Sequence, residues 1–387
     1  MKNEKYINKL KYIRKMNYMK RIRKTKIIFL LFIVFIILFI QNLTTNIIWP
    51  IISSNSKQKR IGVVSLFNLQ NVGNILVKFA MFKKLEELGF NVSMIIPKYY
   101  RKIDTSFINR TINKHIIMVK ESFSELNEKD YDYLIVNSDQ TWSFYNKKFF
   151  YDIALLKFAQ NWKTKKFIYG ASMGVYNWFY KKSDEELFKG LLSNFTGISF
   201  REKGTVKILE EHLGLKSVFV LDPTLLINKR YYLNAIKGYK SEFNSDDKFI
   251  FIYQLDKNPT LEKVIKDSSE KFNLKVYKLK LHNNDYMESF IYGISNCQCV
   301  ITDSFHGTMF SIIFKKPFIS FSNSNRGKAR FDSAKEAFNI RNRIIERSGY
   351  NDININLLIE PLNINETALN ELKAFSIHYL KHNLDLV

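Results

Sequence analysis

Short apolar segments that alternate with helix-like segments are the feature that most restricts the fold of this 387-residue chain. Apolar runs recur from residue 61 onwards, and several are separated by stretches whose apolar residues fall near helical spacing. This alternation is typical of parallel β-sheets covered by helices, so we expect an α/β protein. Two open sheets that face each other would enclose a cleft lined by the carboxyl ends of their strands, where ligands bind in such folds.

The Asp222-Pro223 dipeptide interrupts the alternation and divides the predicted body. We expect a first domain over residues 61–225, a second over 226–365 and a C-terminal helix in 366–387. The predicted strands are Ile61–Phe67, Asn91–Ile96, Tyr131–Asn137, Lys166–Tyr169, Gly197–Phe200, Ser217–Leu221, Lys248–Gln254, Leu274–Leu279, Cys299–Thr302 and Pro317–Phe321. The predicted helices are Val72–Leu88, Glu202–His212, Leu261–Phe272, Asp285–Ser295 and Phe305–Phe314.

An uncharged stretch over residues 27–48 predicts a single transmembrane anchor. It follows a basic segment, residues 1–26, and precedes a polar linker, residues 49–60. No small-residue cleavage site follows the stretch, which favours a retained anchor over a signal peptide; a buried core helix is the weaker alternative. The excess of Lys and Arg before the stretch predicts a cytoplasmic N-terminus and leaves the side of the body open.

The net charge of +24 is concentrated at the N-terminus. Residues 1–60 contain 14 basic residues against one acidic residue, so +13 belongs there and +11 to the remainder. A mildly basic body suits anionic substrates, and without a recognised nucleic-acid-binding motif we expect no nucleic-acid partner. The two cysteines, Cys297 and Cys299, predict neither a disulfide framework nor a metal site, and we expect no cofactor.

The strongest candidate for chemistry is the segment Thr302–Thr308, with the sequence TDSFHGT, between a predicted strand and a predicted helix. Ser304 is placed to cap the helix, whose free N–H groups could hold an anion. His306 would lie on the first turn, where an imidazole can donate a proton near neutral pH. The alternative is a structural histidine satisfied by hydrogen bonds.

Two further turns carry groups suited to anions. Arg201 ends a predicted strand, and its guanidinium could grip a phosphate or carboxylate with two bonds; a salt bridge to Glu202 or another acid is the alternative. Asn71, Gly73 and Asn74 lie between the first strand and the first helix, where backbone can approach a ligand closely. Many strand-to-helix turns contain Asn and Gly, so this second signal is weak alone.

Polar residues also follow other predicted strands. Asp139 could accept a hydroxyl proton and Trp142 could stack on a sugar, although an exposed acid and a packing tryptophan in a turn explain the pattern equally well. Asp222-Pro223-Thr224 is interpreted as a structural turn. Arg326 and Arg330 follow the last strand and could line the cleft or face water.

Taken together, these motifs resemble the polysaccharide pyruvyl transferase family. The resemblance covers residues 61–345 and depends on several short motifs in one order. They are N-x-G-N at Asn71–Asn74, SDQ-x-W at Ser138–Trp142, S-x-RE at Ser199–Glu202, LDPTLL at Leu221–Leu226, and TDSFHGT at Thr302–Thr308 followed by SIIF-x-KPF.

The resemblance implies two Rossmann-like domains, similar to GT-B glycosyltransferases, and transfer of a pyruvyl group from phosphoenolpyruvate to a glycan acceptor as a cyclic ketal. It places His306 as the acid that protonates the methylene carbon, and Asp139 or Asp303 as a candidate base. The donor would contact Arg201 and, around it, a larger set of residues. That set is Asn71, Gly73, Asn74, Ser304, Gly307, Thr308, Arg326 and Arg330.

Two departures from the family pattern leave alternatives open. Some members carry Arg-Leu-His where this chain has Ser304-Phe305-His306, so Arg326 or Arg330 would have to supply the missing guanidinium. Asn137 replaces the glycine usual before SDQ. The alternatives are a GT-B glycosyltransferase that uses a nucleotide sugar and a non-catalytic, membrane-tethered glycan-binding protein.

Overall fold

The computed structural model of the chain describes residues 58–66, 71–97, 106–143, 150–243, 247–281, 283–322, 327–346 and 350–387. Residues 59–387 form one compact unit. The predicted basic segment and membrane anchor, most of the linker and Arg326 lie outside the described residues. Within the described ranges, no helix combines the length and apolar character needed to cross a bilayer.

The first half of the unit contains a six-stranded, fully parallel sheet. Its strands are β1 Arg60–Val64, β2 Asn91–Pro97, β3 Ile116–Val119, β4 Tyr133–Val136, β5 Lys165–Ile168 and β6 Phe195–Gly197. Their spatial order is β3-β2-β1-β4-β5-β6, the order of a Rossmann sheet. The helices of this half are α1 Val72–Glu87, α2 Ser106–Thr111, α3 Phe150–Ala154, α4 Lys182–Leu192 and α5 Lys203–Leu213.

The second half contains a five-stranded parallel sheet. Its strands are β9 Phe249–Tyr253, β10 Lys275–Lys278, β11 Cys299–Thr302, β12 Phe318–Phe321 and β13 Ile344–Ile345, in the order β10-β9-β11-β12-β13. Its helices are α6 Lys229–Ala235, α7 Pro259–Phe272, α8 Tyr286–Asn296, α9 Phe305–Ile313 and α10 Lys328–Phe338. Counted within this half the order is 2-1-3-4-5, the other common doubly wound arrangement.

A two-stranded parallel ribbon, β7 Ser199–Phe200 with β8 Val218–Phe219, links the two halves. The sequence predicts one strand over Gly197–Phe200, but β6 pairs with β5 in the first sheet and β7 pairs with β8. The switch occurs at Ile198 and gives Phe200 a bridge to Ala171, which bridges in turn to Asp139. The ribbon therefore extends the carboxyl edge of the first sheet.

The apolar core follows the two-residue period of the strands. In β1, Ile61 and Val63 belong to one buried cluster, whereas Val64 belongs to a second cluster on the opposite face. The first cluster continues into the second half, where Tyr232 packs against Phe79 of α1 and Phe310 of α9, with ring centroids 5.7 and 4.8 Å apart. The two halves thus share a core beneath α1.

The last helix, α11 Glu366–Asn383, follows the second half in sequence and packs on the first. Tyr379 donates its hydroxyl hydrogen to the carbonyl of Ile168 at 2.8 Å, and the Ser376 hydroxyl accepts from the Leu221 amide at 2.9 Å. The predicted C-terminal helix is therefore present, and its hydrogen bonds fasten it to the first sheet and to the segment before Asp222.

Candidate active site

Three strand ends bring polar side chains to one edge of the first sheet. Asp139 follows β4, Arg201 follows β7 and Asp222 follows β8. Because parallel strands end at the same edge, residues distant in sequence meet there. Asp139 has a φ of 99°, in the left-handed region that few non-glycine residues adopt, so the turn holds this carboxylate against a local conformational preference.

The guanidinium of Arg201 lies between the two carboxylates. Nη1 donates to Oδ2 of Asp222 at 2.5 Å, and Nη2 donates to Oδ1 of Asp139 at 3.0 Å. The residue is 3% exposed, so water screens these pairs weakly. Its buried Nε has no hydrogen-bond partner among the described residues, which leaves one N–H of the fork for another acceptor.

His306 enters the same cluster from the second half of the molecule. It lies on the first turn of α9, and its Nε2 is 3.5 Å from both Oδ2 of Asp222 and Nη1 of Arg201. The other edge of the ring packs against Gly73 of α1, where a Cβ atom would overlap Nδ1. Glycine at this position is thus required for the imidazole to reach the carboxyl edge of the first sheet.

Helix α1 adds an amide and an ammonium group behind Asp139. Asn71 caps the helix by accepting from the Asn74 amide at 3.1 Å, and the Asn74 side chain donates to Oδ2 of Asp139. Lys78, fully buried one turn later, donates to Oδ1 of Asn74 at 2.7 Å and to the Asn74 carbonyl at 3.0 Å. Asp139 is therefore held on one oxygen by Arg201 and on the other by Asn74.

The charges of the cluster follow from burial and pairing. Burial opposes ionisation of Asp139 and Asp222, but Arg201 overcomes it and holds the pKa of both carboxyls well below the usual range. Burial lowers the pKa of Lys78 to about 7 and lowers the pKa of His306, although Asp222 opposes the shift at His306. At neutral pH the imidazole is therefore mainly neutral.

A second guanidinium closes the cluster. Arg330 of α10 is buried, and burial lowers its pKa to about 10. The carbon atoms at the centres of the Arg201 and Arg330 guanidinium groups lie 5.4 and 5.2 Å from the ring centroid of Phe305. A cavity of about 20 Å³, large enough for one water molecule, is lined by Arg201, Asp222, Phe305 and Arg330 among others.

The sequence profile of the family "Polysaccharide pyruvyl transferase" matches residues 71–325, about two thirds of the chain. The chain belongs to the polysaccharide pyruvyl transferase family. It is therefore a transferase, and the matched range contains Arg201, Asp222 and His306 of the cluster. A comparison of this chain with curated proteins found no match.

Solved structures with a similar fold include two UDP-GlcNAc 2-epimerases and one protein bound to UDP. UDP-GlcNAc 2-epimerase from Methanocaldococcus jannaschii is 12% identical, covers 84% of this chain and 99% of its own, and gives a TM-score of 0.56. The S. aureus MnaA–UDP co-structure is 12% identical, covers 85% of this chain and 98% of its own, and gives a TM-score of 0.51. The Neisseria meningitidis UDP-GlcNAc 2-epimerase bound to UDP-GlcNAc is 10% identical, covers 83% of this chain and 99% of its own, and gives a TM-score of 0.50. At these identities the likeness confirms the GT-B-like fold of this pyruvyl transferase family member and nothing finer.

The structure brings together five of the residues that the sequence predicts for the transferase site: Gly73, Asn74, Asp139, Arg201 and His306. Asn71 lies behind them as a helix cap, and Arg330 lines the adjoining cavity. Arg326 lies outside the described residues. The chemical step assigned to each residue stays a prediction.

Other predicted residues of the TDSFHGT motif have structural contacts. Asp303 accepts from the amides of Leu255 and Asp256 at 2.7 and 2.9 Å, so it ties down the turn after β9. Ser304 occupies the cap position of α9, but its side chain makes no capping bond, which corrects that prediction.

Gly307 and Thr308 connect α9 to its sheet. A Cβ on Gly307 would overlap the side chain of Thr302, so glycine is needed for close packing of α9 on β11. Thr308 is fully buried, and its hydroxyl contacts the Ser304 carbonyl and the Ser320 hydroxyl at 3.2 and 2.7 Å. These contacts give both residues a structural role in holding α9 on its sheet.

The prediction that Trp142 stacks on an acceptor sugar is wrong. The indole is 0% exposed and packs edge-on against Phe200 at 5.4 Å between ring centroids. The apolar surface of a tryptophan gains more by core burial than by facing water, and the SDQ-x-W turn directs the ring inwards. Within the described ranges, no group of three or more His, Cys, Asp or Glu side chains could hold a metal ion.

Sequence reasoning missed Asp222, Lys78 and Glu202. Asp222 was interpreted as part of a turn, although an acid within two residues of the end of a predicted strand is the same signal that identified Asp139. Glu202 accepts from the amides of Met173 and Gly174 at 3.1 Å each and therefore fixes the segment after β5. No pattern in α1 marks Lys78 as buried, and the charges that act on it, Asp139 and Arg201, are distant in sequence.

Proposed function

We propose that this family member transfers a pyruvyl group from phosphoenolpyruvate to two hydroxyls of a sugar in a glycan, forming a cyclic ketal and releasing phosphate. The observation that carries the proposal is the convergence of Arg201 and His306 on Asp222, because it places a fixed cation and a proton carrier within 3.5 Å across the two halves. A cation beside an acid suits an anionic enol ester that must be protonated at carbon.

In the first step, His306 donates the proton on Nε2 to the methylene carbon of the donor, and a cationic centre forms at the adjacent carbon. A sugar hydroxyl attacks that centre and loses its proton to a base, for which Asp139 is the candidate. Phosphate takes up the proton from Asp139 as it leaves, which regenerates a cationic carbon, and the second hydroxyl attacks that carbon as its proton returns to the neutral imidazole of His306. The overall products are the ketal and phosphate.

The protonation state of His306 fits this sequence only when the donor is bound. In the free protein, burial lowers the imidazole pKa. The phosphate and carboxylate of the donor would add negative charge beside the ring, which raises the pKa of a nearby base. Asp222, already ionised at 3.5 Å, would stabilise the imidazolium. Donor binding would therefore charge the acid that the reaction consumes.

The donor needs more space than the 20 Å³ beside Arg201. We therefore expect donor entry to separate the carboxyl edges of the two sheets and to compete with Asp139 or Asp222 for the guanidinium. Arg201 Nε and Arg330 both lie at this boundary and could contact the donor carboxylate or phosphate. Hydrogen bonds from a guanidinium fork suit either group.

The test uses the full-length protein, phosphoenolpyruvate and a panel of glycosides with free hydroxyl pairs, and measures phosphate release and ketal formation together. We expect His306→Gln and Arg201→Lys each to lower turnover by about 100-fold or more, since each removes an acid or a bidentate clamp. The matched controls His378→Gln and Arg341→Lys change exposed residues outside the cluster and should retain wild-type turnover. Full turnover in either cluster variant would remove that residue from the mechanism.

The GT-B-like fold also suits a glycosyltransferase, so the same preparation should be titrated with UDP-sugars and with phosphoenolpyruvate. Saturable binding of a UDP-sugar together with sugar transfer, and no phosphate release from phosphoenolpyruvate, would replace the proposed function with that alternative.

A further inference from the structure

The acceptor sugar needs a surface that Trp142 does not provide, since the indole is completely buried. The segment after β5 offers an exposed aromatic residue at the boundary between the two halves. It runs from Gly174 to Tyr180 with the sequence GVYNWFY. Tyr176, in its middle, is 48% exposed.

Both ends of this segment are fixed to the protein. At the start, the buried carboxylate of Glu202 accepts from the Gly174 amide at 3.1 Å. At the end, the Tyr180 hydroxyl donates to the Trp142 carbonyl at 2.7 Å, and Trp178 stacks on His212 with ring centroids 4.9 Å apart. The exposed part therefore costs little ordering entropy when a ligand binds.

The Tyr176 ring is held in place by the second half of the molecule. Its hydroxyl donates to Oδ2 of Asp332 in α10, and the ammonium of Lys328 lies 6.0 Å from its ring centroid. A Cβ placed on Gly204 would lie 3.7 Å from the ring, so one side of the tyrosine rests near the start of α5.

The polar groups around Tyr176 retain hydrogen-bonding capacity. Asp332 accepts from Tyr176, Lys328 and Lys335 among the described residues, and a carboxylate offers about four acceptor positions. Lys328 contacts Asp332 at 2.9 Å and Glu346 at 3.2 Å, and an ammonium has three donors. An additional hydroxyl group could therefore bond to both side chains.

The same segment adjoins the catalytic cluster. A Cβ on Gly174 would lie 3.4 Å from the Cα of Gly327, and the Gly327 carbonyl accepts from Nε of Arg330 at 3.4 Å. Arg330 and Arg201 line one cavity. A ligand on Tyr176 would thus lie at the boundary through which the cluster must be reached.

We propose that Tyr176, Asp332 and Lys328 form the acceptor subsite and bind one pyranose ring of the glycan. The C–H face of a pyranose is apolar and suits stacking on an aromatic ring, whereas its hydroxyls suit a carboxylate and an ammonium group. This assignment rests on the proposed function, because a sugar bound at this site is an acceptor only if the chain catalyses that reaction.

The experiment compares Tyr176→Ala with Tyr176→Phe in the full-length protein. Binding of methyl pyranosides is measured by saturation-transfer NMR without donor, and the acceptor KM is measured from phosphate release. We expect Tyr176→Ala to weaken pyranoside binding and raise the acceptor KM about tenfold, while the affinity for phosphoenolpyruvate is unchanged. Phe375→Ala, which removes another aromatic ring that is 45% exposed, is the matched control and should behave as wild type.

The phenylalanine variant distinguishes a ring on which a sugar stacks, here called a sugar platform, from a side chain that only connects the two halves through its hydroxyl. A platform keeps its ring in Tyr176→Phe, so binding should fall less than threefold, roughly the weight of one exposed hydrogen bond. Equal losses in the alanine and phenylalanine variants, unaltered binding in Tyr176→Ala, or no pyranoside binding to the wild type would each overturn the subsite. Pyranoside binding that depends on Tyr176 without any phosphate release would instead reject the proposed reaction and leave the sugar site standing.

Discussion

At the level of single residues, the contact between Gly73 and His306 decides whether the cluster can assemble. The N-x-G-N turn and the TDSFHGT motif are more than 200 positions apart, yet the glycine of one accommodates the imidazole of the other. Asp222 then lies 3.5 Å from Nε2 of the same ring. The imidazole is thus positioned by steric contact on one edge and by charge on the other.

Gly73→Ala should displace the His306 ring and lower turnover by about 100-fold, because misplacement of a catalytic group by an ångström has effects of that size. We expect a destabilisation of about 1–3 kcal/mol from overpacking. Steady-state kinetics and chemical denaturation would measure the two effects.

Gly190→Ala is the matched control for this substitution. Gly190 also lies within a helix, α4, but no atom comes within 4 Å of the position that its Cβ would occupy. Since alanine is the better helix former, this variant should keep full activity and gain up to about 1 kcal/mol of stability. Comparable activity in both variants would contradict a steric role for Gly73.

At the level of elements, α11 joins parts of the molecule that are far apart in sequence. Its N-terminal end pairs with the second half through Lys315 and Glu366 at 2.5 Å. Its C-terminal end bonds the first sheet, where the Asn383 side chain accepts from the Thr196 hydroxyl at 2.8 Å. The Ser376 bond to the Leu221 amide lies next to Asp222, so the helix also supports the catalytic edge.

Leu380→Ala should therefore lower the free energy of unfolding by about 2–5 kcal/mol, the range for removing a fully buried leucine side chain. Phe375→Ala on the exposed face of the same helix should change it by less than about 0.5 kcal/mol. Urea titrations of both variants would check this. Equal stabilities would show that α11 contributes little to the fold.

At the level of the whole molecule, buried ionised groups make stability depend on pH. Asp139 and Asp222 have pKa values well below the ordinary value because Arg201 stabilises their charged forms. A carboxyl whose pKa is lower in the folded state binds fewer protons there than in the unfolded chain. Its stabilising contribution is present above about pH 4, the unfolded pKa, and is lost as the pH falls below it.

Asp222→Asn should be less stable than the wild type by about 3 kcal/mol or more at pH 7, because it leaves part of a buried ion pair without its partner. The difference in the free energy of unfolding between the wild type and the variant should become smaller as the pH falls from 4 to 3. Thermal or urea unfolding at pH 7, 5, 4 and 3 measures it, with exposed Asp352→Asn as the control. A difference that is constant over this range would contradict ionisation of Asp222 as its source.

The sequence alone determined the α/β class, most strand positions and five of the residues that form the cluster. These features depend on local patterns: apolar runs, helical spacing, and polar residues where strands end. Cys299–Thr302 was predicted with the bounds that β11 has. The family likewise follows from the order of short motifs along the chain.

Only the tertiary structure decided which polar residues meet and which are buried. The split of Gly197–Phe200 between two sheets, the inward position of Trp142 and the role of Asp222 depend on packing against residues that are distant in sequence. The burial of Lys78 is likewise a property of the folded chain, since α1 contacts elements of both halves. The local sequence pattern determines whether a segment favours a helix or a strand. The free energies of burial and of charge pairing depend instead on neighbours that only the folded chain supplies.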